Sequence, residues 1–248
     1  MAKRVAFISG AGRGIGFSAA RDLGVEGFEV VIGVRSDADG DRALAALRAD
    51  GVDAAYVRCD VTDPADHAAV AAHFEARSGS LDVLVNNAGV WLESVNATEG
   101  IGDTSSSVSA DVLRRTFEVN FFGAVGLTQA LLPLLRRAPA ARIVNVSSMH
   151  ASLTIHSDPD SPVYHSAMLA YGASKAALNM FTVQLAHELR NTPIAVNSAD
   201  PGWIATQMGG PAATITPRDG GRTTAMLATL PVGGPSGGFF HLDRPVPW

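Results

Sequence analysis

The sequence predicts a single-domain α/β fold, a doubly wound parallel sheet flanked by helices on both faces. Three observations carry that expectation. Short apolar runs of strand length alternate with helix-length amphipathic stretches along nearly the whole chain. The first apolar run ends in a cluster of glycines. No linker or internal repeat divides the 248 residues, so 1–248 reads as one domain with one substantial core.

Residues 4–9 are a short apolar run stopped by glycine, the pattern of a strand buried on both faces. A helix is expected from about 14 to 24, a strand over 28–34 and an amphipathic helix over 38–50. The alternation continues with a strand at 54–58, a helix at 64–77 opened by Asp63-Pro64, and a strand at 81–85. A long helical stretch over 111–137 leads to a strand at 142–147, and a helix near 170–190 precedes a strand at 193–199. The last strand is expected at 238–241, with a Pro-rich tail behind it. Two regions break the rhythm: 149–169 has little periodicity, and 201–222 is rich in Gly, Pro and Thr. Loops of that length in a compact domain are more often functional than idle.

Hydrophobic content of 47% with 17% charged residues is ordinary for a globular protein and excludes a disordered one. A net charge of −5 argues against a nucleic-acid partner, which calls for a basic stripe. The single Cys59 excludes an intramolecular disulfide and a cysteine-cluster metal site. No apolar run is read as reaching the roughly 20 residues that span a bilayer. The amino-terminal residues reach glycine too soon for a signal peptide. The chain therefore reads as soluble and cytoplasmic, without a membrane partner. Basic residues are uneven: seventeen are arginine and only Lys3 and Lys175 are lysine. Only lysine is a compact ammonium on a flexible stem, which singles out Lys175 inside the fold.

Four constellations carry chemistry. Gly10, Gly12, Gly14 and Gly16 sit between the first strand and first helix, where bare backbone amides at a helix N-terminus admit a pyrophosphate. The spacing departs from G-x-G-x-x-G, and a glycine-rich connection alone is the competing reading. The second strand ends in Val34-Arg35-Ser36 rather than an acid, and Arg13 lies in the glycine loop. Two guanidiniums there suit a ribose 2′-phosphate and favour NADPH/NADP+ over NADH, against the alternative of two solvated charges. Asp60, followed by Val61 after the third strand, is placed to meet an adenine, with a plain helix-start signal at 62–64 as the rival. Asn86-Asn87-Ala88-Gly89 follows the fourth strand, where a mere turn is the other reading. Finally, Tyr171 and Lys175 are four apart on a helix and share a face. An ammonium there would lower the phenol pKa from near 10 towards operating pH, as acid–base work requires.

Taken in order with Asn120, Ser147-Ser148 and Pro201-Gly202-x-x-x-Thr206, these motifs are those of a known family. The chain resembles the short-chain dehydrogenase/reductases over essentially its whole length, and its Pro201-Gly202-Trp203 and carboxyl-terminal segment resemble the carbonyl-reductase-like branch. The resemblance implies a Rossmann-type domain and an NADP(H)-dependent enzyme reducing a ketone or aldehyde, or oxidising the alcohol. It implies Tyr171 as general acid or base, Lys175 as the group that lowers its pKa and holds the nicotinamide ribose, and Ser148 as the carbonyl-polarising hydroxyl. Asn120, on an apolar helix face and in need of partners, would hold a proton-relay water. Around the cofactor the resemblance adds Ile15, Val61, Asn87, Ala88, Gly89, Pro201, Gly202, Ile204 and Thr206, the last on the nicotinamide carboxamide.

Ser148 and Tyr171 are 23 residues apart, longer than the compact members of the family. The extra segment is expected to shape the substrate pocket or to cover a helix face used for dimer contacts. Its three histidines (His150, His156 and His165) are six and nine residues apart, which suits no helix-face metal site. Trp91, His150, Ile155, Tyr164, Trp203 and Met208 are the expected pocket residues, for an apolar small-molecule carbonyl substrate. A monomer and a homo-oligomer of two or four chains both fit. The alternatives are an epimerase or dehydratase on the same site, or a dinucleotide sensor without turnover.

Overall fold

The computed structural model describes residues 3–93, 103–210 and 212–248. The expected alternation becomes β1 (Val5–Ser9), α1 (Gly14–Val25), β2 (Glu29–Val34), α2 (Asp37–Ala49), β3 (Ala54–Arg58), α3 (Pro64–Arg77) and β4 (Val83–Asn86). There follow α4 (Ala110–Phe117), a π-helical turn (Glu118–Phe122), α5 (Gly123–Leu135) and β5 (Arg142–Val146). The second half holds a 3₁₀ turn (Met149–Ala151), α6 (Leu153–His156), α7 (Leu169–Glu188), β6 (Ala195–Ala199), α8 (Arg222–Ala228), β7 (Phe239–His241) and β8 (Arg244–Pro245).

The strands form one sheet in the order β3-β2-β1-β4-β5-β6-β7-β8, parallel throughout except for β8. Because strand side chains alternate between faces, the sheet divides the core in two. Phe7, Val31, Leu84 and Ile143 pack with Phe74, Leu127, Leu131 and Leu185 on one side. Ile8, Ile32, Val85 and Val144 pack with Leu23, Leu47 and Leu227 on the other. The order reverses between β1 and β4, and such a switch point opens a crevice at the carboxyl ends of the strands.

The structure corrects the sequence expectations in four places. The stretch 111–137 is broken by the π turn, which shifts the hydrogen-bond register in mid-helix. The aperiodic 149–169 contains two short helical turns, and the Pro-rich tail adds an antiparallel edge strand, a position where proline is tolerated. One helical run, Ala110–Leu135, is after all long and apolar enough to cross a membrane, with mean hydropathy 1.3. Here it is a core element, with α5 against α3 and α4 against α7.

Candidate active site

The glycine loop is shaped by what leaves no room for side chains. Gly10 has φ +64°, and a Cβ there would lie 2.8 Å from the Ala88 Cα. A Cβ on Gly16 would lie 2.3 Å from Asn87 Nδ2. That amide donates to the carbonyls of Ser9 (2.9 Å) and Gly10 (3.1 Å), while Ser9 Oγ accepts from the backbone N–H groups of Asn87 and Ala88, each at 3.1 Å. The Asn-Asn-Ala-Gly segment is thus a clamp on the glycine loop rather than only a turn. Asn86 itself is structural: its buried Nδ2 donates to Thr128 Oγ1 and Asn145 Oδ1, both at 2.8 Å.

Helix α1 starts with no side-chain cap and no acidic residue in its first turn, so its leading N–H groups have no carboxylate or hydroxyl partner. Arg13 and Arg35 stand exposed at this end. Free amides at a helix N-terminus beside two guanidiniums fit the pyrophosphate and 2′-phosphate of a dinucleotide. Ile15 is half-buried behind the loop and Val61 is buried at the end of the third crossover. Asp60 Oδ1 accepts from Thr62 N–H (3.0 Å) and Oγ1 (2.8 Å), bonds that with Arg35 nearby hold its carboxyl below the usual range. The helix-start signal at 62–64 is real but belongs to Asp63, whose Oδ1 accepts from Ala65 N–H at 2.8 Å. Asp39 was not foreseen. It sits 3.4 Å from where a Gly12 Cβ would be, accepts from Ser36 Oγ at 2.8 Å and pairs with Arg42.

The proposed reacting groups converge at the ends of β4 and β5. Lys175 is 3% exposed; its Nζ donates to the Val146 carbonyl at 2.7 Å and lies 6.0 Å from the Tyr171 ring centroid. Asn120 occupies the π turn, where its Nδ2 donates to Val90 O (2.9 Å) and Ser174 Oγ (3.0 Å), and its Oδ1 accepts from Val90 N–H (2.8 Å). Gly89 lies beside both: a Cβ there would be 3.4 Å from Asn120 Oδ1 and from Lys175 Nζ, ordinary contact distance. Ser148 acts on the Tyr171 phenol, favouring its ionised form, and its Oγ accepts from His150 N–H at 3.3 Å. Ser147 Oγ is buried without a partner, so it is Ser148 that meets the tyrosine.

One expectation is reversed in the protein alone. Burial pushes the Tyr171 phenol up to about 12, with Asp200 and Glu93 adding to the rise, although Ser148 opposes it. Burial equally pushes the Lys175 ammonium down to about 8. Desolvation disfavours both charged forms, and the lysine at this distance does not offset it.

On the substrate side, the His150 ring stands edge-on to Tyr171 at 6.3 Å and next to His156 at 5.5 Å. Burial first, then His156, pushes His150 down to about 4, so it is neutral at pH 7. Trp91 is half-buried beyond Gly89. Tyr164 and Met208 lie at the surface, and Trp203, 54% exposed, donates through Nε1 to Gly209 O at 2.8 Å. Ile204 is buried and bridged to Ile215, and the Thr206 methyl comes within 3.6 Å of a Gly14 Cβ position, laying this segment over the glycine loop. Pro211 within that 203–222 stretch lies outside the described residues.

Two further carboxylates flank the tyrosine that the motifs did not reveal. Asp200, just before Pro201, is buried and accepts from Met149 N–H (3.1 Å) and Gly202 N–H (3.3 Å), with His241 Nδ1 3.3 Å from its other oxygen. Glu93 is the second. Among the described residues no cluster of three or more metal-ligating side chains occurs.

The comparisons with known proteins identify the family. The family model for short chain dehydrogenase matches residues 4–214. The chain is 32% identical to carbonyl reductase [NADPH] 1 of Mus musculus over 98% of each chain. It superposes on NADPH-bound carbonyl reductase from chicken fatty liver with a TM-score of 0.83, at 28% identity and full coverage of both. Salutaridine reductase from Papaver somniferum gives 0.82 at 28% identity, over 98% of this chain and 100% of that one. With the glycine loop, the clamp and the Ser148–Tyr171–Lys175 grouping in one crevice, and a family match over most of its length, the chain belongs to the short-chain dehydrogenase family.

Proposed function

We propose that the protein is an NADPH-dependent reductase of ketones or aldehydes, with Tyr171 as the proton donor. The observation that carries this is the buried Lys175 one helical turn from Tyr171, its Nζ 6.0 Å from the ring centroid, with Ser148 acting on the same phenol. The names of its relatives support the cofactor and the substrate class. NADPH, when bound, supplies a hydride from its nicotinamide ring to the carbonyl carbon.

The chain's own residues do the rest. Gly10, Gly12, Gly14 and Gly16 with the α1 N-terminus seat the pyrophosphate, and Arg13 and Arg35 take the 2′-phosphate. Pro201, Gly202 and Thr206 hold the nicotinamide end, and Asp60 the adenine end. Ser148 Oγ and Tyr171 Oη converge on the carbonyl oxygen, stabilising the charge that develops there. Tyr171 then gives up its proton, and the Lys175 ammonium meets the phenolate so formed. Asn120, bonded to Val90 and Ser174, keeps its helix turn fixed behind Lys175 and supports the water that refills the proton. His150, Trp91, Tyr164, Trp203 and Met208 border the substrate. The protein acts in the cytoplasm, as a monomer or a homo-oligomer.

Tyr171→Phe tests the assignment. Ketone-dependent NADPH oxidation should fall by about 10³-fold, within the range for losing a positioned acid, while NADPH affinity stays unchanged. A variant that turned over normally would remove Tyr171 from the chemistry.

A further inference from the structure

Helix α7, which carries Tyr171 and Lys175, begins without a cap of its own. Its N-cap position is Met168, no side chain there bonds the first turn, and that turn contains no acidic residue. The missing acceptor comes from a distant segment. Glu93, seven residues beyond β4, is 7% exposed, and its Oε1 accepts from the backbone N–H of Ala170 at 2.6 Å and of Tyr171 at 3.2 Å. Its Oε2 is buried and has no hydrogen-bond partner among the described residues. A desolvated carboxylate at a helix N-terminus is held by the partial positive charge and by two charge-assisted hydrogen bonds.

The groups around the phenol make this carboxylate distinctive. From the 3₁₀ turn comes His150, neutral at pH 7; from the end of β6 comes Asp200; from α7 itself comes Lys175; from the segment after β4 comes Glu93. Asp200 is compensated by two backbone N–H groups and His241. Among the described residues Glu93 has only the helix end. Both carboxylates oppose formation of a phenolate, through a medium of low dielectric where charge acts strongly.

We propose that Glu93 is a positioning residue for Tyr171: its carboxylate caps the first turn of α7 and so fixes where the phenol stands. The inference rests on the reading of Tyr171 as the acid. It makes the carboxylate a brake on the reverse reaction, since alcohol oxidation needs the phenol deprotonated.

The test uses the full chain with Glu93→Gln and Glu93→Ala, and follows phenol ionisation by ultraviolet absorbance. The protein has only three tyrosines, so Tyr171→Phe supplies the baseline to subtract. Gln keeps an acceptor oxygen but no charge, so the Tyr171 midpoint should drop by about one pH unit, and the acidic limb of alcohol oxidation with it. Ala removes the acceptor, so kcat should fall about tenfold or more with NADPH Kd unchanged, as displacement of a reacting group costs rate rather than cofactor binding. A Glu93→Gln midpoint equal to wild type overturns the inference, and so does a Glu93→Ala protein that loses thermal stability but keeps kcat. If the Ala variant does not fold, the Gln titration decides alone. The titration needs no turnover, so it stands apart from the Tyr171→Phe activity result: an active Tyr171→Phe defeats the proposed function, whereas an inactive one with an unmoved Gln midpoint defeats only the role of Glu93.

Discussion

The glycine loop after β1 and the crossover from β5 to α7 both deliver site residues to the carboxyl edge of one sheet, yet they are held by different means. The glycine loop is short and fixed by backbone: positive φ at Gly10 and Gly14, contact with Ala88, and the Asn87 amide on two carbonyls. The crossover is long, and its ties are made by groups from elsewhere. Asp200 accepts from Met149, Glu93 accepts from the start of α7, and the Trp248 carbonyl accepts from Thr154 N–H (3.0 Å) and Oγ1 (2.6 Å). The cofactor side is specified by small residues that permit one conformation. The substrate side is specified by polar side chains, and those can be exchanged one at a time.

If that contrast holds, changes on the two sides should fail differently. After Tyr171→Phe, the largest effect is expected at Lys175, where both sides meet. Lys175→Arg should cost about 10²-fold or more in kcat, because a planar fork cannot fill the buried space of an ammonium bonded to Val146 O. On the glycine side, Gly16→Ala drives a methyl into the pinned Asn87 amide. NADPH Kd should rise at least about tenfold, measured by fluorescence titration, a loss of about 1.4 kcal/mol. Arg13→Ala with Arg35→Ala leaves the loop intact and should lower the NADPH-to-NADH ratio of kcat/KM by about tenfold; an unchanged ratio would make both arginines solvated charges.

The smallest effect is a pH dependence of stability on the crossover side. His150 has its folded pKa depressed to about 4 against 6.5 unfolded, so the unfolded chain takes up its proton first as pH falls. Stability is therefore lost between about pH 6.5 and 4, by no more than about 3 kcal/mol. His241 works the other way: its pKa is raised, first by the bond to Asp200, so its contribution is present in acid and fades as pH rises. His150→Gln should flatten the acid side of a Tm-against-pH curve relative to wild type, with His241 common to both. An equal slope in the two proteins would show that His150 does not titrate in this way.

Much of this was legible beforehand, and what was not shares a physical cause. Strand and helix positions followed from local periodicity, the glycine loop, Asn87 and the Tyr171–Lys175 spacing from short-range motifs, and Ser148 only from the family resemblance. Glu93 was silent because its partners lie 77 and 78 residues away, and no local pattern marks a carboxylate as a cap for a remote helix. Asp200 sat beside a recognised Pro-Gly, but its meaning depends on His241 across the β6–β7 pairing. Asp39 shares the first turn of α2 with Asp37, a common place for an acid, so nothing local sets it apart. The π turn left no trace, since apolar residues continue on both sides of it. The raised phenol pKa was missed because spacing shows a neighbouring charge but not the loss of water around it.

The π turn carries a consequence for how this chain tolerates insertion and deletion. It is a phase slip within one long helical run: five residues, Glu118–Phe122, absorb what an unbroken α-helix would spread differently. Removing a residue from the regular turns of α4 or α5 on either side of it would rotate one half against the other by about 100°. Neither half is free to turn, because α4 is seated on α7 and α5 on α3. Asn120 would leave Val90 and Ser174 at the same time. The length of this helix is therefore under tighter constraint than its apolar composition suggests, and a single-codon deletion here should be lethal to the fold where the same deletion in the exposed Asp158–Ser161 turn is absorbed.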